Sequence, residues 1–398
     1  MNLNDLSDDC LLLIFDKFSD LGSFPKLTKV CKRWKKLVQI RLRKVTCLKY
    51  IARHSLSNYC FKIKWYGKCI LSNDLVLLES IKLSQFLPNV KKIKFSDTRD
   101  EVQNLCSALA NLLATGNPIT QLIFTCSSIR FSHSCPIIEN LLQFIIPYLE
   151  DIEHLTTNVN LLVENYFQAY GNHNKLKRLG NRMDLSIDLS HVLNFADSMT
   201  NLKLLFINTL YQNREHNRIS TYDGPIFEKL ESLYIFNGSR LCFVTRILDF
   251  CPNLRNLTLI LPKCTERIQI DSDIKNDNLQ GLFINLDHSY GYDIIPIVEK
   301  FPNVRYLRID GTLTESQLTN IIELLPHLSV LVIDNGLGHS LTIDSFNRVK
   351  TFCRSNKLNI NFFYQCSCPG LENNELHKKF RNSFKRINVN NKVNNFNQ

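Results

Sequence analysis

The residues able to do covalent chemistry are scattered. The 398-residue chain holds fourteen cysteines and ten histidines, and its nearest approach to a metal-ligand set is Cys366-x-Cys368, with Cys353 before it and His377 after. Structural zinc sites separate paired ligands by about two to four residues, so a single intervening residue is a poor match and no metal is expected. No Cys-x-x-Cys or His-x-x-x-His pair occurs, and no histidine sits with a serine or cysteine in a recognisable nucleophile–base order. Thirteen glycines leave little material for a phosphate-cradling loop, and none has that spacing. The expectation is a chain with no catalytic residues and no cofactor, whose chemistry is non-covalent binding.

Charge is the next clue. The formal net charge is +11, and the segment from Lys26 to Arg53 holds eleven Lys and Arg with no Asp or Glu. Such a stripe fits nucleic acid, an acidic protein partner, or simply the solvated face of one helix and its continuation. Trp34 stands among these charges, but its place on an apolar stripe assigns it to a core, which makes nucleic acid the weaker reading. No run of about eighteen apolar residues is present, so no membrane span is expected. The acidic start (Asp5, Asp8, Asp9) is unlike the basic-then-apolar order of a signal peptide. The cysteines occur singly and several lie on apolar stripes (Cys31, Cys106, Cys242, Cys251), as buried thiols do. Reduced thiols point to the cytoplasm or nucleus.

The elements that must position a binding surface begin at residue 6. Leu11, Leu12, Ile14, Phe15 and Phe18 fall at helical spacing. Ser7 is placed to cap that helix, with Asp8 and Asp9 in its positive first turn. Pro25 suits the first turn of a second short helix. Val30, Cys31, Trp34, Leu37 and Val38 make the stripe of a third. In that order, with Val30-Cys31-Lys32-Arg33-Trp34 at the usual distance from Ile14-Phe15, the first forty or so residues resemble the F-box. The family usually has proline after the first leucine; Ser7 stands there instead. The resemblance implies that Leu6, Leu11, Ile14, Phe15, Val30, Cys31 and Trp34 build the core and the face that docks a Skp-type adaptor. A generic three-helix amphipathic start has the same helical spacing and stays open as an alternative.

Beyond it a repeat governs the chain. Aliphatic triplets spaced x, x+3, x+5 occur at Leu202/Leu205/Ile207, Leu230/Leu233/Ile235, Leu254/Leu257/Leu259, Leu279/Leu282/Ile284, Val304/Leu307/Ile309 and Leu328/Leu331/Ile333, with starts 28, 24, 25, 25 and 24 residues apart. Looser copies start at Val90, Ile119, Ile152 and Leu176, and a degenerate one lies at Leu358–Phe362. The x+3 and x+5 positions alternate like one face of a strand. Between them run amphipathic stretches such as Phe243–Phe250, Ile294–Phe301 and Leu318–Leu325. A recurring Pro-Asn or Pro-His (Pro88-Asn89, Pro252-Asn253, Pro302-Asn303, Pro326-His327) ends each helix and turns the chain. This resembles the leucine-rich repeats of F-box proteins. The expected fold class is α/β: a three-helix F-box over 1–45, a connector over 46–85, a curved leucine-rich-repeat solenoid of short parallel strands alternating with helices over 86–370, then a capping helix and a basic, asparagine-rich disordered tail over 371–398. An irregular α/β domain is the alternative.

Taken together, the resemblance implies a non-catalytic substrate adaptor of a Skp–cullin–F-box ubiquitin ligase, joined to a cullin-RING core through the Skp-type adaptor and holding an unidentified target for ubiquitination. The alternative from another class is a leucine-rich-repeat protein-binding scaffold with no ligase role. Expected surface positions beside the strand aliphatics include Lys203, Phe206, Tyr234, Arg255, Thr258, Arg305, Arg308 and Ser329. They mix aromatic, basic and small polar types and name no target.

Overall fold

The computed structural model describes residues 3–51, 68–80, 83–96, 102–114, 119–124, 143–157, 160–180, 187–188, 192, 194–208, 222, 224–236, 243–261, 270–271, 273–286, 294–311, 313–335 and 343–366. The expected strand near Ile63–Trp65 and the whole of 371–398 lie outside them. The chain divides into two units, Met1–Ile187 with Asp197–Asn201, and Asp188–Ala196 with Leu202–Gln398.

The first unit opens with three helices, α1 (Asp8–Phe15), α2 (Phe24–Leu27) and α3 (Lys32–Arg43). Ser7 caps α1, its Oγ accepting from the Cys10 amide at 3.3 Å. Pro25 lies in the first turn of α2. Helix α3 starts at Lys32, two residues later than the apolar stripe, because Cys31 is extended and serves as its cap. Leu11, Phe15, Phe24, Trp34, Leu37 and Val38 are buried, with the Phe15 and Trp34 rings edge to face at 5.2 Å. Two arginines lock the helices. Arg33 donates to the Asn4 and Leu6 carbonyls, both at 2.6 Å, and to Asp8 at 2.8 Å. Arg41, only 1% exposed, meets Asp16 at the end of α1 at 2.9 Å. The basic run from Lys26 is therefore not one solvated stripe: Arg33 and Arg41 are spent on internal contacts, and Lys49 is buried in a strand.

Residues 46–85, expected as a connector, carry sheet structure. Strands β1 (Cys47–Ile51) and β2 (Cys69–Ser72) pair in parallel, and β1 also pairs with β3 (Lys92–Ser96). They break the aliphatic triplet because Tyr50 and Ser72 occupy the inward positions that β3 and β4 (Gln121–Phe124) fill with Phe95 and Phe124. Helices α4 (Leu75–Ser80) and α5 (Leu83–Phe86) follow, with Asp74 capping the first through the Leu77 amide at 3.1 Å. The unit continues through α6 (Val102–Ala114), β4 (Gln121–Phe124), β5 (His154–Thr157), α7 (Asn160–Tyr170) and β6 (Arg178–Leu179). Its sheet order is β2-β1-β3-β4-β5-β6, all parallel. The N-terminal helices reach its edge, where the Leu71 amide donates to the Ser19 carbonyl at 2.7 Å.

The two-residue strand β7 (Ile187–Asp188) marks the division. The second unit contains β8 (Leu204–Asn208), β9 (Ser232–Phe236), β10 (Asn256–Leu261), β11 (Gly281–Leu286), β12 (Tyr306–Asp310), β13 (Val330–Asn335) and β14 (Asn361–Cys366), with helices α8 (Ile295–Lys300), α9 (Glu315–Leu324) and α10 (Ile343–Ser355) between the later strands. Strands β8 to β14 pair in sequence order, all parallel. The register aligns the triplets: Leu205, Leu233, Leu257, Leu282, Leu307 and Leu331 form one inward row and Ile207, Ile235, Leu259, Ile284, Ile309 and Ile333 the next, all buried. The stretch Phe243–Phe250, expected as an amphipathic helix, is a 3-10 helix. Its Val244, Ile247 and Phe250 recur every third residue, which suits the tighter winding.

Two devices tie repeat to repeat. The first is the turn asparagine, whose amide donates to a carbonyl one repeat back: Asn89 to Arg43 at 2.6 Å, Asn253 to Glu228 at 2.8 Å, Asn278 to Pro252 at 3.0 Å and Asn303 to Asp277 at 3.0 Å. The second is Lys300, fully buried at the end of α8. Its ammonium meets the Asp249 carboxylate and the Ile274 carbonyl at 2.6 Å each, and the Asp271 carbonyl at 3.2 Å. The two carbonyls accept hydrogen bonds from the ammonium, and the carboxylate supplies the opposite charge. Breaking such a pair strands a buried charge, at a cost of about 3–5 kcal/mol. Lys300→Met is expected to lower urea-unfolding stability of the second unit by about that much, and Lys300→Met with Asp249→Leu to recover most of it. A single-variant loss below about 1 kcal/mol would show that the pair does not carry this weight.

Candidate functional site

The three-helix start sorts the sequence-expected anchors into two groups. Leu11, Phe15 and Trp34 are core. Leu6 and Cys31 are half-buried, and Ile14 and Val30 are exposed, at 37% and 53%. Two further exposed side chains join them, Leu3 and Leu13, the latter at 66%. Leu13 lies off the buried stripe of α1, which is why helical spacing passed over it. Of nine exposed large apolar side chains among the described residues, four fall in the first thirty residues, so apolar exposure is concentrated in this small module. Surfaces of that kind mark docking sites.

The outward rows of the two sheets differ in chemistry. In the second unit the register aligns Phe206, Tyr234, Thr258, Phe283, Arg308 and Val332. Phe206 and Tyr234 stack at 4.2 Å. Arg308 lies over the Phe283 ring at 4.9 Å, with its guanidinium held on Asp310 at 2.7 and 2.9 Å and near Asp334 at 3.5 Å. Burial pushes the Asp310 carboxyl up, against the pull of Arg308. Four of the expected positions (Phe206, Tyr234, Thr258, Arg308) thus share one row, but Phe206 is buried rather than at the surface, as is Val332 in the same row. Lys203, Arg255, Arg305 and Ser329 instead sit one residue before their strands, where each of their carbonyls accepts two successive amides of the next repeat, apart from that of Ser329, which accepts from the Asn361 amide. Phe283 escaped the sequence reading because the triplet drew attention to Leu282 and Ile284.

In the first unit the row corresponding to Phe206–Val332 holds Leu71, Lys49, Lys94, Ile123 and Thr156, and the outward row before it is polar and basic: Cys69, Cys47, Lys92, Gln121, His154 and Arg178. Burial lowers the His154 pKa to about 4, and the Arg178 and Lys92 charges add to it against Glu153. The Cys69 thiol, by hydrogen bonding, lowers the pKa of Cys47, against burial and helped by Lys92, Lys94 and Lys49.

An open cleft of about 280 Å³ between turns of the second unit is lined by Lys203, Glu228, Lys229, Glu231, Asn253, Arg255 and Asn278. It has no apolar wall for a small molecule; Lys203 is paired with Glu231 at 3.1 Å, and Asn253 and Asn278 are engaged with neighbouring turns. Of the residues considered for a metal, Cys353 is buried in α10 and Cys366 ends β14, while Cys368 and His377 lie outside the described residues. Among the described residues no three His, Cys, Asp or Glu side chains group as ligands. Cys10, Cys31, Cys47, Cys69, Cys251 and Cys353 are free thiols. No helix among the described residues is long and apolar enough to cross a membrane.

No family model matches the chain, and no curated protein matches it. Its fold defines it as an α/β protein of parallel strands alternating with helices, in the manner of a repeat solenoid.

His154 gives a direct check on the electrostatics. Its folded pKa of about 4 lies below the ordinary 6.5, so the unfolded chain takes up the proton first. The stability contributed by neutral His154 is present above about pH 6.5 and is lost as pH falls toward 4. Ring NMR is expected to show a midpoint near 4, and His154→Gln to flatten the loss of stability over that interval. A midpoint near 6.5 would show that neither burial nor the neighbouring positive charges act on this ring.

Proposed function

We propose that the chain is the substrate-holding subunit of a Skp–cullin–F-box ubiquitin ligase. The N-terminal helices dock a Skp-type adaptor, and the repeats hold the target protein. The observation carrying this is the pairing, in the first thirty residues, of a buried Leu11–Phe15–Trp34 core with exposed Leu3, Leu13, Ile14 and Val30. The action is positional: tethering raises the effective concentration of a target lysine near the ubiquitin-charged enzyme to the millimolar range (~mM for short tethers). No step on this chain makes or breaks a covalent bond, and the cytoplasm or nucleus is the matching compartment.

A second reading is favoured by the contact of Leu71 with Ser19 at the sheet edge. It makes the helices an N-terminal cap of a protein-binding scaffold with no ligase role. A cap presents a polar outer face, whereas this module exposes apolar side chains, so the adaptor reading is preferred.

The test is substitution, not deletion. Removing residues 1–40 would take away Leu37, Val38 and the Asp16 partner of Arg41, and unfolding would mimic lost binding. Leu13→Asp with Val30→Asp touches exposed positions and is expected to leave the circular dichroism unchanged. Each docking anchor is worth about 2 kcal/mol, so capture of a co-expressed Skp-type adaptor should fall at least about tenfold. Undiminished capture by this variant, or none by the parent, would favour the scaffold.

A further inference from the structure

The first unit's sheet carries an outward face unlike that of the second. Its open row runs Cys69, Cys47, Lys92, Gln121, His154, Arg178 across β2, β1, β3, β4, β5 and β6, and the next row holds Leu71, Lys49, Lys94, Ile123 and Thr156. Among the described residues these two rows contain no Asp or Glu. The nearby acids before the strands are engaged with the turn lysines, Asp151 with Lys175 at 2.6 Å and Glu153 with Lys177 at 2.7 Å. The rows also offer no aromatic: Tyr50, Phe95 and Phe124 occupy the alternate positions and are buried. A basic face without stacking rings suits carboxylates better than nucleic-acid bases.

We propose that the outward face of the first unit's sheet binds an acidic segment of a partner protein, with Lys92 and Arg178 taking its carboxylates. Lys92 and Arg178 stand three strand spacings apart, roughly 14 Å. An extended chain rising ~3.4 Å per residue crosses that gap in about four residues, so the matching segment carries acids about four apart. Gln121 and His154 lie between them, and neutral His154 offers a donor and an acceptor to the crossing backbone. Lys49 and Lys94 strengthen the field. Two titratable neighbours report it: His154 is held neutral partly by Arg178 and Lys92, and the Cys47 thiol is lowered partly by the lysines around it.

This binding does not rest on adaptor docking. In the ligase reading it becomes the surface that holds the target, and its loss leaves adaptor capture intact, so the two failures are distinguishable. The test uses the full chain, a fluorescein-labelled glutamate-rich peptide and fluorescence anisotropy at low salt. Saturable binding is expected, weakened at least about tenfold by Lys92→Glu with Arg178→Glu. Lys92→Arg with Arg178→Lys should keep it, which separates charge loss from misfolding, and Arg354→Glu on α10 should leave it unchanged. The His154 midpoint should rise when the peptide binds. No saturable binding to the parent, equal binding by the charge-reversed variant, or tighter binding of a length-matched single-stranded RNA overturns the proposal.

Discussion

A single strand with its following helix cannot bury its own apolar face, so everything depends on neighbouring strands keeping register. A slip of one residue would turn Leu257 and Leu259 outward and Thr258 inward. Parallel pairing prevents this because each carbonyl before a strand takes the first two amides of the next: Lys203 takes Glu231 and Ser232, Glu231 takes Arg255 and Asn256, and Arg255 takes Gln280 and Gly281, all at 2.9–3.0 Å. The same carbonyl geometry recurs in the first unit at Thr46, Lys91, Thr120 and Glu153. Backbone hydrogen bonds thus set the repeat, and side chains fill it.

That division explains what was readable beforehand. The inward rows must be large and apolar at every repeat, so the triplets from Leu202 to Ile333 stand out in the sequence and all became strands. β1 and β2 did not stand out, because Lys49 alternates with Leu48 and Tyr50, and Ser72 takes an inward place beside Asp74, where its hydroxyl is satisfied by the Asp74 backbone at 3.2 Å. The Pro-Asn pairs were legible as turns. Their longer-range role, the asparagine amide reaching back one repeat, was not, since a turn residue and a cross-repeat donor look alike in one sequence.

The binding surfaces were legible in part. Helical period alone groups Leu11, Ile14 and Phe15, yet Phe15 is buried at 0% and Ile14 is exposed at 37%; period finds a stripe but not the side of it that meets a second molecule. Arg41, buried against Asp16, was hidden within a basic run whose charges look alike in sequence. On the sheets, the outward residues beside the aliphatics are free of the inward packing constraint, so Phe283, Lys92 and His154 carry no periodic signature. They become visible only when register aligns them across strands. Freedom from the inward packing is what lets one repeat pattern present aromatic side chains on the outward face of one unit and basic ones on that of the other.

The buried lysine has a further consequence for how such a chain changes over generations. Repeats held by turn asparagines join through neutral contacts between equivalent places, and one unit can be duplicated or lost while the new neighbours still match. Lys300 instead reaches across three consecutive repeats, to Asp249, Asp271 and Ile274. Excising or inserting a repeat between Asp249 and Lys300 would leave an ammonium and a carboxylate in the interior with no counterpart. A change of repeat number within this stretch therefore carries the cost of a buried, unpaired charge, which a change on either side of it does not.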